Sequence, residues 1–203
     1  MILGAVLLVL QAGLLDPKKP ELNLAAPAEF TVKLETPKGD IVLKVTRAWA
    51  PKGADRFFNL VKNGYYDETR FYRVLPKYIA QFGIHGDPAV AAAWKGAPIA
   101  DDPVVQKNAR GTLVFAKGGP DTRTTNLFFN LKDNTALDKS GFAPFAVVTE
   151  GLEVMDQLHS GYGDGAPKGR GPGQAKIYEL GNVWLKKDFK DLDFIKTARI
   201  VDP

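Results

Sequence analysis

The clearest pattern in the chain begins at Phe30. Phe30, Val32 and Leu34 alternate with Thr31, Lys33 and Glu35, the two-residue period of a strand with one buried face. Pro37-Lys38-Gly39-Asp40 supplies a turn, and Ile41, Leu43 and Val45 resume the alternation, so an antiparallel hairpin is predicted. Pro51 then opens a segment with Ala54, Phe57, Phe58 and Val61 at helical spacing, and Gly64 stands where a helix would stop. Short strand-like runs follow at 71–75, 79–82, 112–115, 127–131 and 145–148, and a second short helix is expected over 152–158. Residues 175–183 read as a further strand. Many short strands with only two helices predict a mainly β, antiparallel barrel, because closure removes the sheet edges.

Outside this core the pattern changes. Ile2 to Leu10 is an uninterrupted apolar run, too short to span a bilayer as a helix and lacking a basic flank. It reads either as a signal peptide ending near Gly13, which would make the protein exported (periplasmic or extracellular), or as an apolar segment packing on the domain of a cytoplasmic protein. The Pro- and Ala-rich stretch 14–29 reads as a linker, 30–183 as the folded domain, and 184–203 as a C-terminal extension packing on it. Six of the thirteen residues from Gly161 to Gly173 are glycine. A phosphate cradle would need a preceding strand and a following helix opened by Lys-Ser/Thr; neither is present, so this segment reads as a connecting loop.

Composition narrows the chemistry. At 203 residues and 45% hydrophobic, the chain can bury a core without metal or disulfide support. It has no cysteine, which excludes thiol nucleophiles, disulfides and Cys-based metal sites. Its only histidines are His85 and His159, so a three-His metal site is impossible and a His-based triad would have to use one of these two. The net charge of +4 is spread along the chain rather than gathered on one arm, which speaks against nucleic-acid binding.

Two segments carry the candidate chemistry. In Phe71-Tyr72-Arg73-Val74-Leu75-Pro76-Lys77-Tyr78-Ile79-Ala80-Gln81-Phe82-Gly83 an arginine sits in an apolar strand, with an amide side chain eight residues on. Alone, that arginine reads first as one half of a structural ion pair. The second segment runs Gly111-Thr112-Leu113-Val114-Phe115-Ala116-Lys117-Gly118-Gly119-Pro120-Asp121-Thr122-Arg123-Thr124-Thr125-Asn126-Leu127-Phe128-Phe129, followed by Leu137-Asp138 and Gly141-Phe142-Ala143-Pro144-Phe145. In order and spacing, from about Phe30 to Val183, the chain resembles the cyclophilin family of peptidyl-prolyl cis–trans isomerases.

That resemblance implies a closed eight-stranded antiparallel barrel capped by two α-helices, and an enzyme that accelerates rotation about X-Pro bonds in protein folding. It implies no cofactor and no metal. Expected partners are proline-containing peptides and unfolded or partly folded proteins, not nucleic acid or membrane, with the protein a monomer. Arg73 matches the family's catalytic arginine and Gln81 its substrate-binding amide, while Tyr78, Ile79, Phe128 and Leu137 match the proline-pocket walls. Ala116, Lys117, Asn126 and Phe142 fall at further substrate-binding positions. Lys117 replaces a usual Asn, Asn126 a usual Gln and Phe142 a common His, and Ala136 stands where many members have Trp. Trp94 and the pair Asp101-Asp102 lie in a stretch that departs from the family pattern; packing is the simplest role for Trp94. A non-catalytic proline-peptide-binding or chaperone module on the same scaffold is the alternative reading.

Overall fold

The structure, a computed structural model, describes residues 13–201; the apolar run at 2–10 lies outside them. The expected hairpin is β1 (Glu29–Thr36) and β2 (Gly39–Thr46), paired so that Phe30, Val32 and Leu34 stand opposite Val45, Leu43 and Ile41 on the inner face. Thr36 closes the turn, its Oγ1 donating to the Gly39 carbonyl at 2.7 Å and accepting from the Lys38 N–H at 3.1 Å. Gly39, with φ +130°, takes a conformation an L side chain rarely adopts.

Helix α1 (Pro51–Lys62) follows and buries Ala54, Phe57, Leu60 and Val61 in the main core. The remaining strands are β3 (Arg73–Leu75), β4 (Ile79–Phe82), β5 (Thr112–Phe115), β6 (Leu127–Asn130), β7 (Pro144–Glu150) and β8 (Thr197–Val201). They form one antiparallel eight-stranded sheet in the order β3-β4-β6-β5-β7-β2-β1-β8. Full closure is not seen: β3 and β8 are the sheet's two ends and share no ladder. The chain just before each of them forms a short seam instead, with Glu68 N–H donating to Ile195 O (2.7 Å), Phe71 N–H to Asp193 O (2.9 Å) and Ile195 N–H to Thr69 O (3.0 Å). The sheet is therefore curled with a partial seam, which protects its edges at fewer hydrogen bonds than an eighth, closing ladder would use.

Four other expectations are corrected. Residues 175–183 are not a strand but part of helix α5 (Gln174–Asp188), which buries Ile177, Gly181 and Leu185 at four-residue intervals. Gly181 breaks its regular dihedrals (φ 58°, ψ −150°), and a Cβ there would collide with the Gly86 carbonyl. Residues 184–203 are no appendage, because β8 is an integral strand beside β1. The stretch 14–29 is not a free linker: Leu14 and Leu22 are buried, Ala26 N–H donates to Asp55 Oδ1 at 2.8 Å, and Asn59 Nδ2 donates to Leu24 O at 2.7 Å, strapping the segment to α1.

The helices, finally, exceed two: besides α1 and α5 there are α2 (Pro88–Lys95) and the single-turn α3 (Ala136–Lys139) and α4 (Leu152–Asp156). Asp87 caps α2 by accepting from Ala89 N–H (2.7 Å). Trp94 on α2 packs as expected, fully buried, with its ring against Tyr65 and its Nε1 donating to Leu14 O at 2.8 Å. No helix among the described residues is long and apolar enough to cross a membrane.

Candidate active site

Strand register builds the site. Residues directly opposite one another in a sheet point to the same face. Arg73 on β3 pairs with Gln81 on β4, Gln81 with Phe128 on β6, and Phe128 with Val114 on β5. One step along, Val74, Ala80, Phe129 and Leu113 form the parallel row on the other face and belong to the main core. Ile79, Val114 and Phe128, joined by Ala116, Leu137 and Phe142, form a separate apolar cluster on the site's face. The four-stranded half of the sheet thus has a core on each side, which is why β4, β5 and β6 are buried throughout.

Above that row lies a cavity of about 160 Å³ lined by Arg73, Tyr78, Ile79, Gln81, Ala116, Lys117, Phe128, Leu137 and Phe142. Every expected site residue except Asn126 is in it. The Phe128 and Phe142 rings meet edge to face, centroids 5.7 Å apart. The walls are held from outside by asparagines: Asn134 Nδ2 donates to Tyr78 O (2.9 Å) and to Asn130 Oδ1 (2.7 Å), and Asn108 Nδ2 to Phe142 O (2.9 Å) and Asp138 Oδ1 (2.7 Å).

Arg73 and Gln81 form the polar rim. Gln81 is buried and accepts from Arg73 Nη1 at 3.3 Å. The opposite edge of the guanidinium meets Asp164, with Nε–Oδ1 at 2.7 Å and Nη2–Oδ2 at 3.1 Å. Hydrogen bonds from Arg73 hold the Asp164 carboxyl below its ordinary range, so it is ionised at neutral pH. Asp164 belongs to the glycine-rich loop, which walls a second cavity of about 380 Å³ together with Tyr72, Arg73 and Gln81.

A third cavity, about 340 Å³, shares Gln81, Ala116 and Lys117 with the first and receives Asn126. Asn126 lines this neighbouring cavity, where its Oδ1 accepts from Tyr72 OH (3.0 Å) and its Nδ2 donates to Tyr178 OH (2.9 Å). Lys117 is not free to swing: its ammonium bonds Asp101 Oδ2 at 2.7 Å and lies 5.6 Å from the centre of the Phe142 ring. Burial pushes the Asp101 carboxyl up, but its contacts with Lys117, Asp121 and Arg123 outweigh this and leave it below its usual range.

Sequence reasoning missed Asp164, Asn108, Asn134 and Tyr178, and singled out Asp101 without giving it a role. Only the Thr-rich turn before Asn126 hinted at a polar cavity there; the others act across long separations, 91 residues for the Arg73–Asp164 pair.

The family model described as cyclophilin type peptidyl-prolyl cis-trans isomerase/CLD matches residues 31–181. The chain belongs to this family. It is 34% identical over 143 residues to a peptidyl-prolyl cis-trans isomerase of Acinetobacter baylyi, covering 68% of this chain and 76% of that one. It is 32% identical over 165 residues to peptidyl-prolyl cis-trans isomerase A of Dickeya dadantii, covering 77% and 83%. A solved cyclophilin type peptidyl-prolyl cis-trans isomerase of Cryptosporidium parvum shares the fold at a TM-score of 0.63 and 20% identity, over 86% of this chain and 99% of that one. The same protein was also solved in the presence of the dipeptide Ala-Pro, matching at a TM-score of 0.61 over 85% and 99%. The curled, eight-stranded cyclophilin architecture is therefore a property of this chain.

Proposed function

We propose that this protein isomerises X-Pro peptide bonds in proline-containing peptides and partly folded proteins, with Arg73 acting on the prolyl nitrogen. The observation that carries this is the placement of a guanidinium and an amide, adjacent in strand register, in a cavity of about 160 Å³ whose apolar wall is Ile79, Phe128, Leu137 and Phe142. A cavity of about 150 Å³ accepts a benzene ring, so the space suits a single pyrrolidine ring.

Rotation about the peptide C–N bond faces a barrier of about 18–20 kcal/mol from resonance, although the two X-Pro isomers differ by only about 0.5–1 kcal/mol. No bond needs to break. In the twisted state conjugation is lost and the prolyl nitrogen's lone pair becomes available to a donor. The Arg73 guanidinium, always charged and rich in N–H groups, stabilises that lone pair, whereas the planar ground states offer it little. One charge-assisted hydrogen bond is worth about 1.5–3 kcal/mol, or one to two decades of rate. The remainder comes from holding the ring among Ile79, Phe128, Leu137 and Phe142 while Gln81 grips a flanking carbonyl, so that binding fits the twisted form best.

The test is an isomerisation assay on an X-Pro peptide with the wild type, Arg73→Ala and Arg73→Lys. Both variants should lose at least about tenfold in catalytic efficiency, the lysine because its ammonium lacks the fork. Unchanged efficiency in both would remove Arg73 from the mechanism. A wild type that binds the peptide without turning it over would establish the binding-module alternative.

We further infer export, on the support of the apolar run at 2–10. Native protein should lack Met1 by mass spectrometry; intact Met1 in the cytoplasmic fraction would refute this.

A further inference from the structure

The glycine-rich loop has a shape that explains its composition. Gly171 N–H donates to Asp164 O (2.8 Å), Arg170 N–H to Tyr162 O (3.0 Å), and Lys168 N–H to Gly165 O (3.1 Å), folding the loop's second half back on its first. Gly165 and Gly171 form a bridge between the two halves. A Cβ at Gly169 or Gly171 would press into the Asp164 carbonyl, so the two halves can approach only as glycine. The backbone of Asp164 is thereby fixed by groups other than its own carboxylate. That carboxylate keeps one local bond, from Gly165 N–H at 2.8 Å, and otherwise turns to Arg73.

The pairing is side-on and bidentate, which fixes both the plane of the guanidinium and its rotation about the side-chain axis. It occupies Nε and one N–H of Nη2, and leaves Nη1 to meet Gln81, which with Arg73 lines the cavity of about 160 Å³. A long, flexible arginine would otherwise have to be ordered at each turnover, and a group already in place acts on the twisted amide without that cost.

We propose that Asp164 is the positioning residue for Arg73, and that the loop 161–173 serves to bring this one carboxylate to the guanidinium's Nε–Nη2 edge. The proposal rests on the reading of Arg73 as the group that acts on the prolyl nitrogen, and it makes the glycine-rich loop part of the isomerase machinery.

The experiment uses Asp164→Asn, which retains an oxygen for Gly165 N–H but cannot accept from both Nε and Nη2 of the guanidinium, in the wild-type and Arg73→Lys backgrounds. In the wild-type background kcat should fall about tenfold while KM changes less than about twofold, because the proline cavity is intact and only the alignment is lost. In the Arg73→Lys background the same change should cost less than about twofold, since no fork remains to be aligned. The second readout is independent of turnover: the Arg73 Nε–H resonance, protected from solvent exchange in the wild type, should lose that protection in Asp164→Asn. A kcat that is unchanged or raised, an equal loss in both backgrounds, or an Nε–H already unprotected in the wild type would overturn the proposal. If Arg73→Ala proves fully active, the reading of Arg73 fails, and the resonance shows separately whether Asp164 holds the side chain.

Discussion

Helix α1 begins without a local cap: Ala50 precedes it and offers no side-chain acceptor. Its first N–H groups are met instead by Asp102, some fifty residues on, whose Oδ1 accepts from Lys52 N–H (3.1 Å) and whose Oδ2 accepts from Gly53 N–H (2.9 Å). Asp102 also pairs with Arg123 Nη2 at 3.0 Å, and the two side chains are only 1% and 3% exposed. Replacing Asp102 with alanine would strand the guanidinium, whose Nε and Nη1 already have no hydrogen-bond partner, with only the Ala100 carbonyl and a longer 3.4 Å contact to Asp101.

Breaking a buried pair by removing one partner costs about 3–5 kcal/mol. At about 2–4 °C per kcal/mol for a chain of this size, Asp102→Ala should melt roughly 6–20 °C below wild type. The measurement is a thermal melt followed by circular dichroism, repeated in urea. Adding Arg123→Met removes the stranded charge, so the double variant should be more stable than Asp102→Ala alone. A single variant within about 1 kcal/mol of wild type, or a double variant that is worse than the single, would refute this account of how α1 is anchored.

Two further predictions follow from buried side chains. Phe128 lines the cavity of about 160 Å³ proposed to take the proline ring and is almost fully buried, so Phe128→Ala should cost about 3–5 kcal/mol of stability and at least about tenfold in catalytic efficiency; activity must be read at a temperature where the variant is still folded, and full efficiency there would exclude Phe128 from the site. Burial lowers the pKa of His85, which Asp87 and Asp67 only partly oppose, so below about pH 6.5 the unfolded chain takes up a proton that the native state resists. Stability should therefore fall as pH drops from 7 to 5, and less so in His85→Gln; identical pH dependence of the two in urea titrations would contradict this.

What could be read in advance divides along physical lines. Alternation in 30–45 specified both the hairpin and its inner face, because a one-residue slip would turn Val32 and Leu43 to solvent. The strands at 79–82 and 112–115 were legible as compact apolar runs between turns. Helix α5 was not, because Gly181, with φ 58° and ψ −150°, kinks it into two shorter helical pieces, so no single helical period runs through 174–188; the backbone of Gly86 comes too close at that point for any side chain. The strap at 14–28 was hidden for a different reason. Its prolines and alanines read as a linker, while its attachment depends on polar side chains of α1, Asp55 and Asn59, that nothing in the strap itself announces.

The site divides in the same way. Arg73, Gln81 and Phe128 are neighbours across three strands, so any chain that forms this sheet must bring them together. Of the departures from the family pattern, Phe142 lines the first cavity, whereas Lys117 and Asn126 line the adjacent one and are each already engaged, Lys117 by Asp101 and Asn126 by Tyr72 and Tyr178. Their partners come from loops and from α5, elements that can change without disturbing strand register. The row Arg73, Gln81 and Phe128 is thus set by the sheet, and the groups around the adjacent cavity are engaged largely through its connections. Asp164 is where the two meet: a loop residue that engages, with both carboxylate oxygens, the guanidinium of a residue placed by strand register.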